Sequence, residues 1–193
     1  MSPRRPAVLS LTLVVALLAV PAFAKKTKRP DTEDIINYRL GIEHSHWLVG
    51  PIYYMASPEE RTAYLALTGD DEAVAFQDEF WKRRDPEPDI FGNPVRDLYE
   101  RRADEADRRY REAAVIGRRT DRGALYVLYG EPELIFFDPG RTPAQPDLEV
   151  WVYPKRVEDG LTDERPQRRY YFAEQDGRTV LFTPRASRRI EIP

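Results

Sequence analysis

Ala124-Leu125-Tyr126-Val127-Leu128-Tyr129-Gly130-Glu131-Pro132-Glu133-Leu134-Ile135-Phe136-Phe137 is the stretch in which the hydrophobic pattern of this chain changes period. Upstream of it apolar residues recur every three or four positions, as on one face of a helix. From it onward they alternate, as in strands. On that pattern Ala124–Tyr129 is expected to be a strand, Gly130-Glu131-Pro132 a turn, and Leu134–Phe137 a second strand.

Downstream, residues 138–147 form a loop rich in Pro and Gly. In Leu148–Tyr153, Leu148, Val150 and Val152 share one face, and Glu149, Trp151 and Tyr153 the other. Arg168–Ala173 and Thr179–Thr183 flank Asp176-Gly177, the composition of a two-residue hairpin turn. Residues 154–167 are a polar insertion. Upstream, Ser57-Pro58-Glu59-Glu60 combines a capping serine, a proline at the first helical position and a glutamate at the third. It predicts a helix to about Leu67, stopped by Gly69. Asp70 is placed to cap the next helix, Asp71 to about Arg84, ended by Pro86 and Pro88. Asn93-Pro94 opens the longest one, to about Ile116, with Tyr99, Ala103, Ala106, Tyr110 and Ala113 as its apolar stripe. Thr32 to about Leu48 has helical character, and Ile52–Met55 reads as a short extended piece. The expected fold is α+β: about four N-terminal helices (residues 32–117) packed on a small antiparallel sheet of about five strands (residues 118–193).

The N-terminus points to export. Arg4 and Arg5 precede an apolar run from Ala7 to Val20, Pro21 breaks it, and Ala22-Phe23-Ala24 supplies a small-x-small cleavage pattern. Residues 1–24 are therefore expected to be a signal peptide cut after Ala24, and 25–31 a flexible leader. The run is shorter than the ~20 residues of a membrane span. Lys25, Lys26, Lys28 and Arg29 favour the competing reading, an uncleaved anchor. The expected location is the periplasm or the medium, with no transmembrane helix in the mature chain.

Composition narrows the classes. The chain has no cysteine, which excludes a disulfide framework and a cysteine-linked lipid anchor. Its 30 Lys and Arg stand against 33 Asp and Glu, a net charge of −3. Removal of 1–24 takes only Arg4 and Arg5, leaving 28 against 33, or −5. That argues against a general nucleic-acid binder. No phosphate loop, G-x-S-x-G or H-E-x-x-H occurs, and no cofactor is expected. His44 and His46 are the only histidines, without an obvious third ligand, so no metal site is expected.

Several blocks together resemble one family. Phe80-Trp81-Lys82-Arg83-Arg84-Asp85-Pro86-Glu87-Pro88, Asn93, Gly117-Arg118-Arg119-Thr120-Asp121-Arg122-Gly123, Leu128-Tyr129-Gly130-Glu131-Pro132-Glu133 and Glu149-Val150-Trp151-Val152-Tyr153 are similar in order and spacing to the GWxTD domain family. The similarity runs from about Trp47 to Phe182. The family's signature Trp is Arg118 here. The resemblance implies an exported bacterial protein of uncharacterised activity and supplies no catalytic residues. The sheet half is also similar in outline to the small lipoprotein subunit of the outer-membrane barrel assembly machinery, without that subunit's lipidated cysteine.

Two charged segments and a set of aromatics are the candidate sites. Asp121 between Arg119 and Arg122, beside Thr120, could orient a hydroxyl or bind an anion; the simpler and preferred reading is structural, with Thr120 and Asp121 bonding loop amides, Arg122 pairing with a carboxylate and Gly123 relaxing the backbone. Arg84 and Asp85 lie at a helix C-terminus, and one or other of them is expected to contact the Thr120–Arg122 loop and lock helices to sheet. Asp121, Arg122 and Asp85 are the catalytic candidates if the protein is a hydrolase-like enzyme acting on an envelope substrate. The favoured reading is a non-enzymatic envelope module that binds a protein partner through its sheet face or edge, with Tyr129, Trp151 and Tyr153 joining Arg84, Asp85, Thr120, Asp121 and Arg122 as binding candidates. The oligomeric state is left open.

Overall fold

A computed structural model describes residues 31–183, apart from 141, 143, 144, 158 and 159. The expected signal peptide and most of the leader lie outside these residues. Among them, six α-helices precede one four-stranded antiparallel sheet, an α+β architecture.

The helix starts follow local chemistry. Before α3 (Pro58–Ala66), Ser57 Oγ accepts the Glu60 N–H while the Glu60 carboxylate accepts the Ser57 N–H, a closed capping box. Before α5 (Pro94–Arg109), Asn93 Oδ1 accepts the N–H groups of Val95 and Arg96. For α4 (Asp70–Lys82) the expected cap is corrected. Gly69 is the N-cap, and Asp70 turns its carboxylate to the Gly41 N–H, 2.8 Å away, tying the chain before α1 (Ile42–Ser45) to α4. The region 32–48 is not one helix but a 3-10 turn at Thr32–Ile35 followed by α1, and the expected extended piece is the short helix α2 (Pro51–Met55). Tyr64, buried on α3, donates its hydroxyl to His44 O and packs with Trp47 and Phe76.

Helix α5 ends at Arg109, well before Ile116. Ala113 takes a left-handed φ of 45°, and Glu112 and Val115 pair across a tight turn. The stripe Ala103, Ala106 and Tyr110 is buried as expected, whereas Ala113 lies in the turn and is exposed.

The principal correction concerns Ala124–Tyr129. It is not a strand but the body of α6 (Asp121–Tyr129), which packs against α5 and α2. The helix starts at a capping Thr120 and stops at Gly130, whose φ of 75° suits glycine. Its run of apolar residues carries no usable period because Ala124, Leu125, Val127, Leu128 and Tyr129 are all buried. The sheet therefore has four strands rather than five: β1 (Leu134–Asp138), β2 (Leu148–Val152), β3 (Arg169–Gln175) and β4 (Arg178–Phe182), in that spatial order. Asp176 (φ 52°) and Gly177 (φ 73°) form the two-residue β3–β4 turn the sequence predicts.

The register fixes the faces. Trp151 opposes Ile135 and Tyr170, and Glu149 opposes Phe137 and Phe172, so these residues share the face turned to the helices. Trp151, Tyr153 and Phe172 are fully buried there with Tyr110 and Tyr170. Leu134, Phe136, Val150 and Tyr171 lie on the opposite face.

Candidate functional site

The segment 117–123 is where helices and sheet are joined. Thr120 Oγ1 accepts the Gly123 N–H at 3.1 Å and donates to Gly117 O at 2.8 Å. It closes the first turn of α6 from both directions. The two glycines are required by close approach. A Cβ on Gly117 would lie 1.9 Å from Ala106 O, and one on Gly123 would lie 1.9 Å from Gly117 O. Backbone thus stacks on backbone from α5 through Gly117 to α6.

Asp121 and Arg122 are then aimed at the sheet. Asp121, only 7% exposed, accepts the Leu181 N–H of β4 at 2.7 Å. Its negative charge in the first turn of α6 also complements the helix dipole. Arg122 Nη1 reaches Glu149 on β2 at 3.0 Å, and Nη2 reaches Glu112 in the turn after α5 at 2.9 Å. Glu112 in turn accepts the Thr179 N–H of β4, and Glu149 accepts Trp151 Nε1 at 2.6 Å. These groups connect the turn after α5 with α6, β2 and β4 through charge-assisted hydrogen bonds. Chemically, Asp121 and Arg122 act as connectors: the Asp121 carboxylate meets a backbone amide of β4 and the two Arg122 Nη groups meet carboxylates of the same fold, while Arg122 Nε is buried without a hydrogen-bond partner among the described residues. Glu112 and Glu149 were missed in the sequence. The available signal for Glu149 was a lone carboxylate on the aromatic face of an alternating strand.

Arg118, in the place of the signature Trp, binds Asp107 through its backbone N–H (2.6 Å) and Nε (2.7 Å), and Asp104 through Nη2 (3.1 Å). Ion pairs to two aspartates of α5, with a backbone hydrogen bond to one of them, thus hold this position instead of an indole.

The expected contact of Arg84 and Asp85 with the Thr120–Arg122 loop is replaced by another. Arg84 donates to Glu60 (2.6 and 3.1 Å), Met55 O and Phe80 O, with its guanidinium 3.5 Å above the Phe80 ring. Burial works to raise the Glu60 carboxyl, but hydrogen bonds from Arg84 and the Ser57 N–H outweigh it and hold it down at about 2. Asp85 accepts the Glu87 N–H. Arg84 therefore anchors the end of α4 to α2 and α3, because the helix C-terminus points at the capping box and not at α6, while Asp85 bonds only locally among the described residues. A cleft of about 940 Å³ opens beside it, with Tyr54, Ser57, Glu60, Arg84, Leu161 and Glu164 in its wall.

Tyr129, Trp151 and Tyr153 are in the core. Burial pushes the hydroxyls of Tyr129 and Tyr153 above the usual phenol range, and Tyr153 donates to Gly130 O. His44 and His46 meet Gln77 and Ser45 respectively. Strand β1 carries a run of exposed apolar side chains: Leu134, Ile135, Phe136 and Phe137 are all exposed, Phe137 by 74%; Ile42, Ile90 and Phe91 are exposed elsewhere in the chain.

The two sheet edges differ. The two-residue turn makes Gln175 and Arg178 a hydrogen-bonded pair, and alternation then turns the amides of Thr179 and Leu181 outward on β4. Both are taken by carboxylates, from Glu112 and Asp121. The same alternation, carried through the registers to β1, turns the N–H and C=O groups of Ile135 and Phe137 outward. No strand lies beyond β1 among the described residues. One edge is sealed by the helical half; the other is open and apolar.

Compared with known proteins, the chain matches the pattern of the GWxTD domain over residues 41–179. No curated protein and no solved structure matches it.

Proposed function

Because the chain belongs to the GWxTD domain family, whose pattern spans most of it, we propose that it is an exported cell-envelope protein, a non-enzymatic module that binds or assembles with other proteins. The observation that carries this reading is the contrast between the sheet edges. Globular proteins protect exposed edges with charges, prolines, bulges or covering elements. Here β4 is protected by two carboxylates, whereas β1 presents Leu-Ile-Phe-Phe with no charge before Asp138. An open apolar edge is the surface that recognition by strand addition uses: main-chain hydrogen bonds give affinity and side chains give selectivity. Export is supported by the order of Arg4-Arg5, the apolar run and Ala22-Phe23-Ala24. No helix among the described residues is long and apolar enough to cross a membrane.

The hydrolase reading is less well supported. It needs Asp121 or Arg122 directed at a substrate, and both are engaged with β4, Glu112 and Glu149. The test is mild cross-linking of the envelope fraction followed by co-purification, with the wild type and Phe137→Pro in parallel. Proline removes an outward N–H without touching the β1–β2 ladder. A partner recovered by the wild type and lost by the variant is expected. Equal recovery by both removes the edge from the reading.

A further inference from the structure

We infer that the β1 edge pairs with the β1 edge of a second copy of this chain, joining two four-stranded sheets into one of eight strands. This rests on the strand-addition reading above and names its partner. The argument begins with what β1 demands of a neighbour. Ile135 and Phe137 project toward the helical side of the sheet and Leu134 and Phe136 toward the other, and all four are exposed. A strand apolar on one face only would set polar side chains against half of them. The matching strand must be apolar on both faces, and β1 is itself such a strand.

The backbone is self-complementary as well. An antiparallel pair with its twofold axis at Phe136 places Ile135 of each copy opposite Phe137 of the other. Those are the two residues whose N–H and C=O groups point outward, so the pair forms four main-chain hydrogen bonds and uses every outward group between them. Phe136 then faces its own counterpart in the non-hydrogen-bonded position, the geometry that brings cross-strand aromatic side chains closest. The acidic ends do not collide. Asp138 of one copy lies opposite Leu134 of the other, next to a Glu133 already neutralised by Arg168. The β4 edge cannot compete for the same role, since Asp121 and Glu112 occupy its outward amides. One short strand per copy buries less than the ~800 Å² per partner of a standard interface, so the dimer is a weak one.

The absence of cysteine gives a direct test. In the proposed register the two Phe136 Cα atoms are ~4.5 Å apart, within the range a disulfide spans. Phe136→Cys is expected to form a disulfide-linked dimer under mild oxidation, and Phe91→Cys, on an exposed loop, at least tenfold more slowly. Sedimentation equilibrium of the purified protein should show concentration-dependent dimerisation, weakened at least tenfold by Phe137→Pro, with near-UV circular dichroism reporting that the variant is folded. If Phe137→Pro does not fold, the cross-linking comparison decides alone. A wild type that stays monomeric into the millimolar range, or equal cross-linking at positions 136 and 91, overturns the self-pairing. Strand addition itself fails separately, in the co-purification experiment, if Phe137→Pro retains the envelope partner.

Discussion

Gly117→Ala tests whether backbone contact organises the junction. A methyl group there would lie 1.9 Å from Ala106 O, 2.5 Å from Ala106 C and 2.7 Å from Asp107 Cα. All three atoms are backbone, so no side-chain rotation relieves the overlap. Ordinary contact begins near 3.4 Å, and α5 must therefore part from the segment leading into α6 by about 1.5 Å, against close packing that resists such shifts. The movement would loosen Ala103, Ala106 and Tyr110, all buried at this interface. It would also disturb the Thr120 cap and the Arg118–Asp107 pair. Overpacking a core costs ~1–3 kcal/mol even where side chains can yield. With backbone on both sides ~4 kcal/mol is expected, the range that marks a specific structural failure. Reduced freedom of the unfolded chain returns ~0.4–1 kcal/mol. The net loss of ~3 kcal/mol corresponds to a Tm lower by ~6–12 °C for a domain of this size. Thermal unfolding followed by far-ultraviolet circular dichroism measures it. Gly69→Ala, where nothing lies within 4 Å of the added carbon, is the control and should change stability by less than ~1 kcal/mol. Equal stability of the two variants would refute the close-approach argument.

Asp121→Ala should cost ~1–3 kcal/mol by leaving the Leu181 amide without its carboxylate, with faster hydrogen exchange at Leu181; Asp121→Asn, which keeps an acceptor, should lose less. Arg122→Ala strands Glu112 and Glu149 beside each other, with side chains only 10% and 15% exposed, and should cost ~3 kcal/mol; denaturant unfolding checks it, and restored stability on adding Glu112→Gln would identify charge repulsion as the cause. Glu60 has its carboxyl held at about 2 in the fold against 4.5 for the free group. Its contribution is present above pH ~4.5 and is lost as pH falls from there toward 2, amounting to ~2 kcal/mol once solvent screening is allowed for. Glu60→Gln should therefore be less stable than the wild type at pH 7 and converge with it only as the pH approaches 2, as read from denaturant midpoints.

The errors in reading the sequence share a cause. Ser57-Pro58-Glu59-Glu60, Asn93-Pro94 and Asp176-Gly177 were legible because each structure is closed by groups within a few residues. Ala124–Tyr129 was misread because α6 is buried nearly all round, which erases the periodicity that separates helix from strand. Thr120 and Gly130, at the two ends of the apolar run, were the local signal of its true state. Arg84 was assigned the wrong partner because its direction is set by where α4 ends relative to the α3 capping box, a relation between elements far apart in the chain. Trp151 and Tyr153 were binding candidates on the sheet and lie in the core, because alternation identifies two faces and not which of them the helices cover.

The sequence by itself determined the family, the α+β class, the caps of α3 and α5 and the β3–β4 turn, since each rests on chemistry within a short stretch of chain. The tertiary structure decided what Gly117, Thr120, Asp121 and Arg122 do, and which sheet edge is closed. Those depend on residues 106, 112, 149, 179 and 181 arriving at the same place. Sequence spacing carries no record of that convergence, because burial and hydrogen-bond direction are set by packing among elements and not by neighbours along the chain.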